Sequence, residues 1–202
     1  VGFRYTFDKR YGNFSSILID EKEQLKAPIK LTSWRAPTDN DRKIKTFWGH
    51  EDLRQGENLN LHFSKVYECI LEGNKITVKG SLAGVSRAPY FEYTLEISVF
   101  ENGRIDYYLS GDVRENCIWL PRLGFEFELP LSYDSFTYFG MGPRASYCDM
   151  CHHTAVNTYS SRAMDEYEPY PVPQEHGNHT NTNYLSVSDR HHNALVFTSD
   201  DK

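Results

Sequence analysis

Nine residues, Ser33-Trp34-Arg35-Ala36-Pro37-Thr38-Asp39-Asn40-Asp41, gather an aromatic, a guanidinium, a proline and two carboxylates. Arg35 can reach back to Asp39 or Asp41 as a bidentate clamp. Pro37 lacks an N–H and biases Ala36 away from helix, and the Asp and Asn side chains can bond their own backbone to fix a turn. Apolar alternating runs flank the stretch, so it reads as a loop between strands. One reading is a self-buttressed loop that orders the strands around it; the other is a loop that faces a substrate or a docking partner. Paired acids also invite a catalytic reading, with Asp39 and Asp41 as one pair and Glu166, Glu168 and Glu175 as further candidates. Acids in such exposed stretches are more commonly solvated or paired with arginine.

Cysteine and histidine supply the other candidate chemistry. Cys148-Asp149-Met150-Cys151-His152 has the C-x-x-C-H spacing of haem attachment, and with His153 it forms part of a zinc-site pattern. A haem needs a pocket and a second axial ligand. A structural zinc needs four ligands, and no second C-x-x-C exists in the sequence. The expectation is therefore ordinary thiols and no cofactor. His176, His179, His191 and His192 could cluster, though loop histidines are more often exposed. Asn13-Phe14-Ser15 and Asn178-His179-Thr180 fit the glycosylation sequon, which matters only in a eukaryotic secretory host.

The elements that must position these residues are strands. With 202 residues the chain can bury a core without a staple. Four cysteines are too few for a disulfide framework at this size. A net charge of −6 argues against non-specific nucleic-acid binding. There is no long apolar run and no signal peptide, so no membrane partner is expected. Both ends open directly on strand-like residues, which suggests an excised fragment. Its compartment, cytoplasm or periplasm, is left open. The chain is aromatic-rich, and most of its rings are expected in the core.

Period-two alternation predicts strands at Phe3–Phe7, Phe14–Ile19, Leu123–Leu129, Phe136–Phe139, Tyr184–Val187 and Ala194–Phe197. Phe47–Arg54 is the best candidate for a short helix. Phe63, Tyr67, Cys69 and Leu71 are expected on one strand face. Turn chemistry at Gly73-Asn74 sets Leu71 opposite Ile76 and Cys69 opposite Val78. For Phe91–Val113 a three-residue loop, Glu101-Asn102-Gly103, aligns Val99 with Ile105, Ile97 with Tyr107 and Leu95 with Leu109. It also places Gly103 where a left-handed residue is needed. From Gly140 the texture turns to Gly, Pro, His, Asn and Tyr, and Tyr167–Gly177 cannot be regular structure. Short strands with turn signals and no linker predict one all-β domain over 1–202, an antiparallel β-sandwich.

Three stretches, in order, resemble glycoside hydrolase family 2. Arg35-Ala36-Pro37-Thr38-Asp39-Asn40-Asp41 looks like a motif in the large C-terminal β-sandwich of its β-galactosidases. Tyr138-Phe139-Gly140-Met141-Gly142-Pro143, followed by Tyr147 and Asp149, is the second. Glu168-Pro169-Tyr170-Pro171-Val172-Pro173-Gln174-Glu175-His176-Gly177, with Asn183-Tyr184, is the third. The resemblance runs nearly the length of the chain and does not call for Cys148 or Cys151. It implies a galactose mutarotase-like supersandwich, truncated at its C-terminal end. It also implies that the acid/base and nucleophile glutamates lie in a (β/α)₈ barrel absent from this chain, so no catalytic residue is assigned here. Implied partners are that barrel, the other domains of the parent enzyme and a galactoside. The residues expected at the substrate edge or an interdomain contact are Trp34, Arg35, Asp39, Asn40, Asp41, Glu175 and His176. The alternative is a stand-alone carbohydrate-binding module, which exposed coplanar aromatics on one concave face would favour.

Overall fold

Alternating side chains and tight turns fold the chain around strands that pair antiparallel. The computed structural model describes residues 2–49, 56–191 and 193–199. The chain divides into two units, Val1–Leu129 and Pro130–Lys202.

Among the described residues the first unit holds three sheets. Strands β1 (Phe3–Asp8), β2 (Asn13–Ile19) and the two-residue β3 (Lys22–Glu23) form one, so the charged link between β2 and the Arg35 loop itself contributes a short strand. Strand β4 (Lys30–Thr32) pairs with β9 (Gly124–Glu126) in the second. A four-stranded meander, β5 (His62–Glu72), β6 (Lys75–Gly84), β7 (Phe91–Val99) and β8 (Ile105–Val113), forms the third. Both hairpin registers read from the sequence are observed: Leu71 faces Ile76 and Cys69 faces Val78, while Val99 faces Ile105 and Leu95 faces Leu109. Gly103 takes a φ of +88° in the three-residue loop, the left-handed region open to glycine at least cost.

The sheets close over one apolar core. Phe14 from β2, Leu31 from β4 and Trp48 join Val78, Leu95 and Ile97 of the meander. Phe14 packs edge-on against Tyr107 of β8 at 6.5 Å, and Phe125 of β9 lies 4.9 Å from the same ring. Each fully buried aliphatic or aromatic side chain contributes about 1.5–3 kcal/mol. This is the sandwich expected from the strand pattern. The expected strand over Leu123–Leu129 is shorter as a paired element, yet its alternation holds. Phe125, Phe127 and Leu129 pack on the core, while Glu126 and Glu128 face Lys30 at 3.7 and 3.0 Å.

Two expectations are corrected here. The strand face of β5 does not run Phe63, Tyr67, Cys69, Leu71. A bulge between Val66 and Glu68 shifts the phase, so Val66 and Cys69 pack toward the core while Phe63 and Tyr67 are exposed. The helix is a single turn, α1 (Lys45–Trp48), which starts earlier than expected and ends at Gly49 with a left-handed φ of +91°. The rest of the expected helix, residues 50–54, lies outside the described residues.

The second unit is a sheet in the order β11, β10, β12, β13, formed by β10 (Ser135–Gly142), β11 (Ala155–Arg162), β12 (Tyr184–Ser188) and β13 (Ala194–Thr198). Strand β10 runs through Gly140, past the point where strand texture fades in the sequence. Strand β11 gave no signal because both of its faces are largely exposed and it carries no apolar alternation. At the centre, Tyr138 is buried between Tyr159 and His179, with ring centroids at 5.6 and 4.2 Å. Gly142 is required there, because a Cβ would collide with the Tyr138 hydroxyl. Tyr167–Gly177 is irregular, as its prolines demand.

Candidate functional site

The loop after β4 is built around Arg35. Its guanidinium donates to the Asp41 carboxylate through Nη1 at 2.6 Å and Nη2 at 3.4 Å. Nη1 also reaches the Ala36 carbonyl at 3.0 Å, and Nε reaches the Pro121 carbonyl at 3.2 Å. The Arg35 side chain is 15% exposed and that of Asp41 14%. Asp41 further accepts from the Thr38 amide at 2.7 Å and the Thr38 hydroxyl at 2.8 Å. Those bonds close the start of a 3-10 turn over Asp39–Lys43, with Asp41 as the acid three residues after the cap. Burial alone would raise the Asp41 pKa. The Arg35 guanidinium and the two Thr38 donors outweigh burial and hold it below the usual carboxylate range.

Below the clamp, the Ser33 and Tyr90 hydroxyls share a hydrogen bond of 2.6 Å in the buried interior, tying the loop base to the residue before β7. Above it, the three tryptophans of the chain converge. Trp34 meets Trp48 edge-on at 6.4 Å, the Arg35 guanidinium lies 5.5 Å from the Trp48 ring, and Trp48 Nε1 donates to the Trp119 carbonyl at 2.8 Å. The Trp119 side chain itself is 81% exposed. The loop is thus a rigid platform with an exposed indole beside it.

Of the expected site residues, Trp34, Arg35 and Asp41 come together. Asp39 and Asn40 stand exposed on the 3-10 turn, and Arg42, not Arg35, pairs with Asp39, at 3.7 Å. Glu175 and His176 belong to the second unit and are half-buried there. His176 sits edge-on to Tyr167, its Nδ1 3.1 Å from the Glu166 carbonyl. Thr38, Trp48, Trp119 and Pro121 were missed. The Arg35–Pro121 and Trp48–Trp119 contacts are nonlocal and leave no pattern in the chain, whereas the Thr38–Asp41 spacing is that of a helix cap and was legible.

The expected histidine grouping divides. His179 bonds Glu166 at 3.0 Å beside His176, while His191 lies in the turn after β12; His192 is outside the described residues. Glu168 pairs with Arg144 at 3.0 Å. A cavity of about 270 Å³ lies between these groups, lined in part by Arg144, Asp165, Glu166 and Glu168. Burial first, then the Glu166 and Tyr159 charges, push the Tyr138 phenol up to about 12. All four cysteines are free thiols, with Cys148 exposed on a tight turn closed by the Tyr147–Met150 bridge. Among the described residues, no group of three or more His, Cys, Asp or Glu is placed to hold a metal ion. Neither sequon asparagine is open: Asn13 is 4% exposed and accepts from the Tyr107 hydroxyl, and Asn178 donates to the Ser146 carbonyl at 2.7 Å.

This geometry can hold a rigid aromatic and cationic edge. The Asp41 carboxylate is taken up by Arg35 and Thr38. Comparison with known proteins gives a family. The model of the β-galactosidase small chain matches residues 1–201. A β-galactosidase of Actinobacillus pleuropneumoniae is 29% identical over 91% of this chain, and one of Streptococcus thermophilus is 30% identical over 84%. A β-galactosidase of Kluyveromyces lactis is 28% identical over 92% of the chain. The chain spans 18%, 16% and 18% of the length of these relatives.

Proposed function

Because this chain belongs to the β-galactosidase small-chain family, we propose that it works as one domain, residues 1–202, of a larger β-galactosidase that hydrolyses terminal non-reducing β-D-galactosides. In this reading the chain carries no catalytic residue. It packs on the catalytic barrel through the Arg35 loop and forms an edge of the sugar pocket. The observation that carries it is the Arg35 clamp. Six hydrogen bonds around Arg35 and Asp41 are spent on rigidity, while Trp119 stands exposed next to them, as an anchor for a neighbouring surface does. The buried rings of Phe14, Trp48, Tyr90, Phe91, Tyr93 and Tyr138 support the scaffold reading.

Glycoside hydrolysis requires two carboxylates flanking one bond, one protonated and one ionised. The purified chain is therefore expected to show no turnover of a chromogenic β-galactoside. Turnover that survives purification and vanishes in Asp39→Asn or Asp41→Asn would overturn the reading. In the full-length enzyme, Trp119→Ala is expected to weaken domain association or raise KM; a variant with unchanged assembly and kinetics would remove Trp119 from the proposed contact.

A further inference from the structure

The face of the β5–β8 meander turned away from the core carries a groove of about 760 Å³, within the range of small-molecule sites. We propose that this groove is a saccharide-binding site, separate from the Arg35 loop, in which a polyhydroxylated ring stacks on Tyr67 and donates hydroxyl hydrogen bonds to Glu92 and Asp112.

The bulge in β5 creates the platform. It leaves Tyr67 without a register partner and directs its ring over the sheet, 57% exposed, where it lines the groove. The ring is held in place, because its hydroxyl shares a 2.8 Å hydrogen bond with Ser81, whose side chain is buried. An aromatic face that is both exposed and pinned loses little freedom on stacking. Bulges commonly re-aim a side chain beside a binding site.

The next feature is a local rule broken without compensation. Glu92 and Asp112 are direct cross-strand partners on this face, and like charges so placed repel. Among the described residues no Lys or Arg pairs with either, and the nearby Lys79 is taken by Glu68 at 2.7 Å. The adjacent rung on the same face pairs Thr94 with Ser110. Glu92, Asp112, Thr94, Ser110 and the Glu68–Lys79 pair thus line one groove together with Tyr67. Ring hydroxyls can donate to both carboxylates and accept from Lys79, while the apolar face of the sugar covers the tyrosine. The groove is separate from the Arg35 loop, so failure of binding there would leave the reading of that loop untouched.

The test is a ligand-observed NMR titration of the purified chain with lactose up to about 50 mM. An open groove of this kind is expected to bind with a Kd of about 1–10 mM. Tyr67→Ala and Asp112→Asn are each expected to weaken binding about tenfold, and Tyr67→Phe, which keeps the ring, less than threefold. Phe63→Ala, exposed on the same strand outside the groove, is expected to change nothing. Asp112→Asn touches no core contact and keeps the test informative if Tyr67→Ala unfolds. Absence of lactose binding, or binding unchanged in both Asp112→Asn and Tyr67→Ala, would overturn the inference. So would binding of n-butylammonium without lactose, which would make the groove an organic-cation site.

Discussion

Replacing Arg35 by alanine removes the counter-charge of Asp41 and the donor to the Pro121 carbonyl in one step. Breaking a buried ion pair by deleting one partner costs about 3–5 kcal/mol. Asp41 keeps its two Thr38 donors, and both side chains retain some exposure, which places the expected loss at the low end, about 3 kcal/mol. All three tryptophans lie in the first unit around this clamp, so intrinsic fluorescence reports its unfolding selectively. For a unit of this size the urea m-value is about 1.5–2 kcal/mol per molar, which converts the loss into a midpoint shift of about 1.5–2 M. Acid sensitivity gives a second readout. The Asp41 carboxyl is depressed in the folded state, so its contribution is present above the unfolded value of 3.8 and is lost as pH falls through the lower folded value. Arg35→Ala should flatten that acid limb, whereas Arg35→Lys should keep part of it, since an ammonium retains charge and loses the fork. A midpoint shift below about 0.3 M, with the acid limb unchanged, would refute the assignment of the clamp as the loop's main support.

Gly103→Ala is expected to cost about 1–3 kcal/mol, because φ is +88° and the added Cβ would lie 2.5 Å from the Phe3 ring; an unchanged urea midpoint would contradict this. The Tyr138 phenol, raised from 10.0 to about 12, keeps its proton in the folded state while the unfolded chain loses it. Stability of the second unit should therefore fall as pH rises from 10 to 12, by up to about 1.4 kcal/mol per pH unit, and Tyr138→Phe should remove that slope in unfolding followed by circular dichroism. Purified chain is expected to carry no zinc, iron or haem on Cys148 and Cys151, and elemental analysis returning one metal per chain would reverse this.

The sequence alone determined what depends on neighbours in the chain. Glycine at the tips of the β5–β6 and β7–β8 hairpins and apolar alternation on both arms left one register that buries a continuous face, and that register is observed in both. Arg35 and Asp41, six residues apart around a proline, left little choice of partner; only the choice between Asp39 and Asp41 waited for the structure. Tertiary structure decided everything that depends on distant contacts. The β5 bulge reverses which residues face the core, and nothing in a run of alternating residues marks where an extra one is inserted. Strand β11 is held by hydrogen bonds to β10 rather than by a buried face, so it leaves no hydrophobic period to read. The convergence of Trp34, Trp48 and Trp119 spans more than eighty residues and is set by packing and one indole-to-carbonyl bond. Backbone hydrogen bonds and shape complementarity carry no residue-type signature, so the platform beside Arg35 and the groove over the meander become visible only once the sheets are assembled.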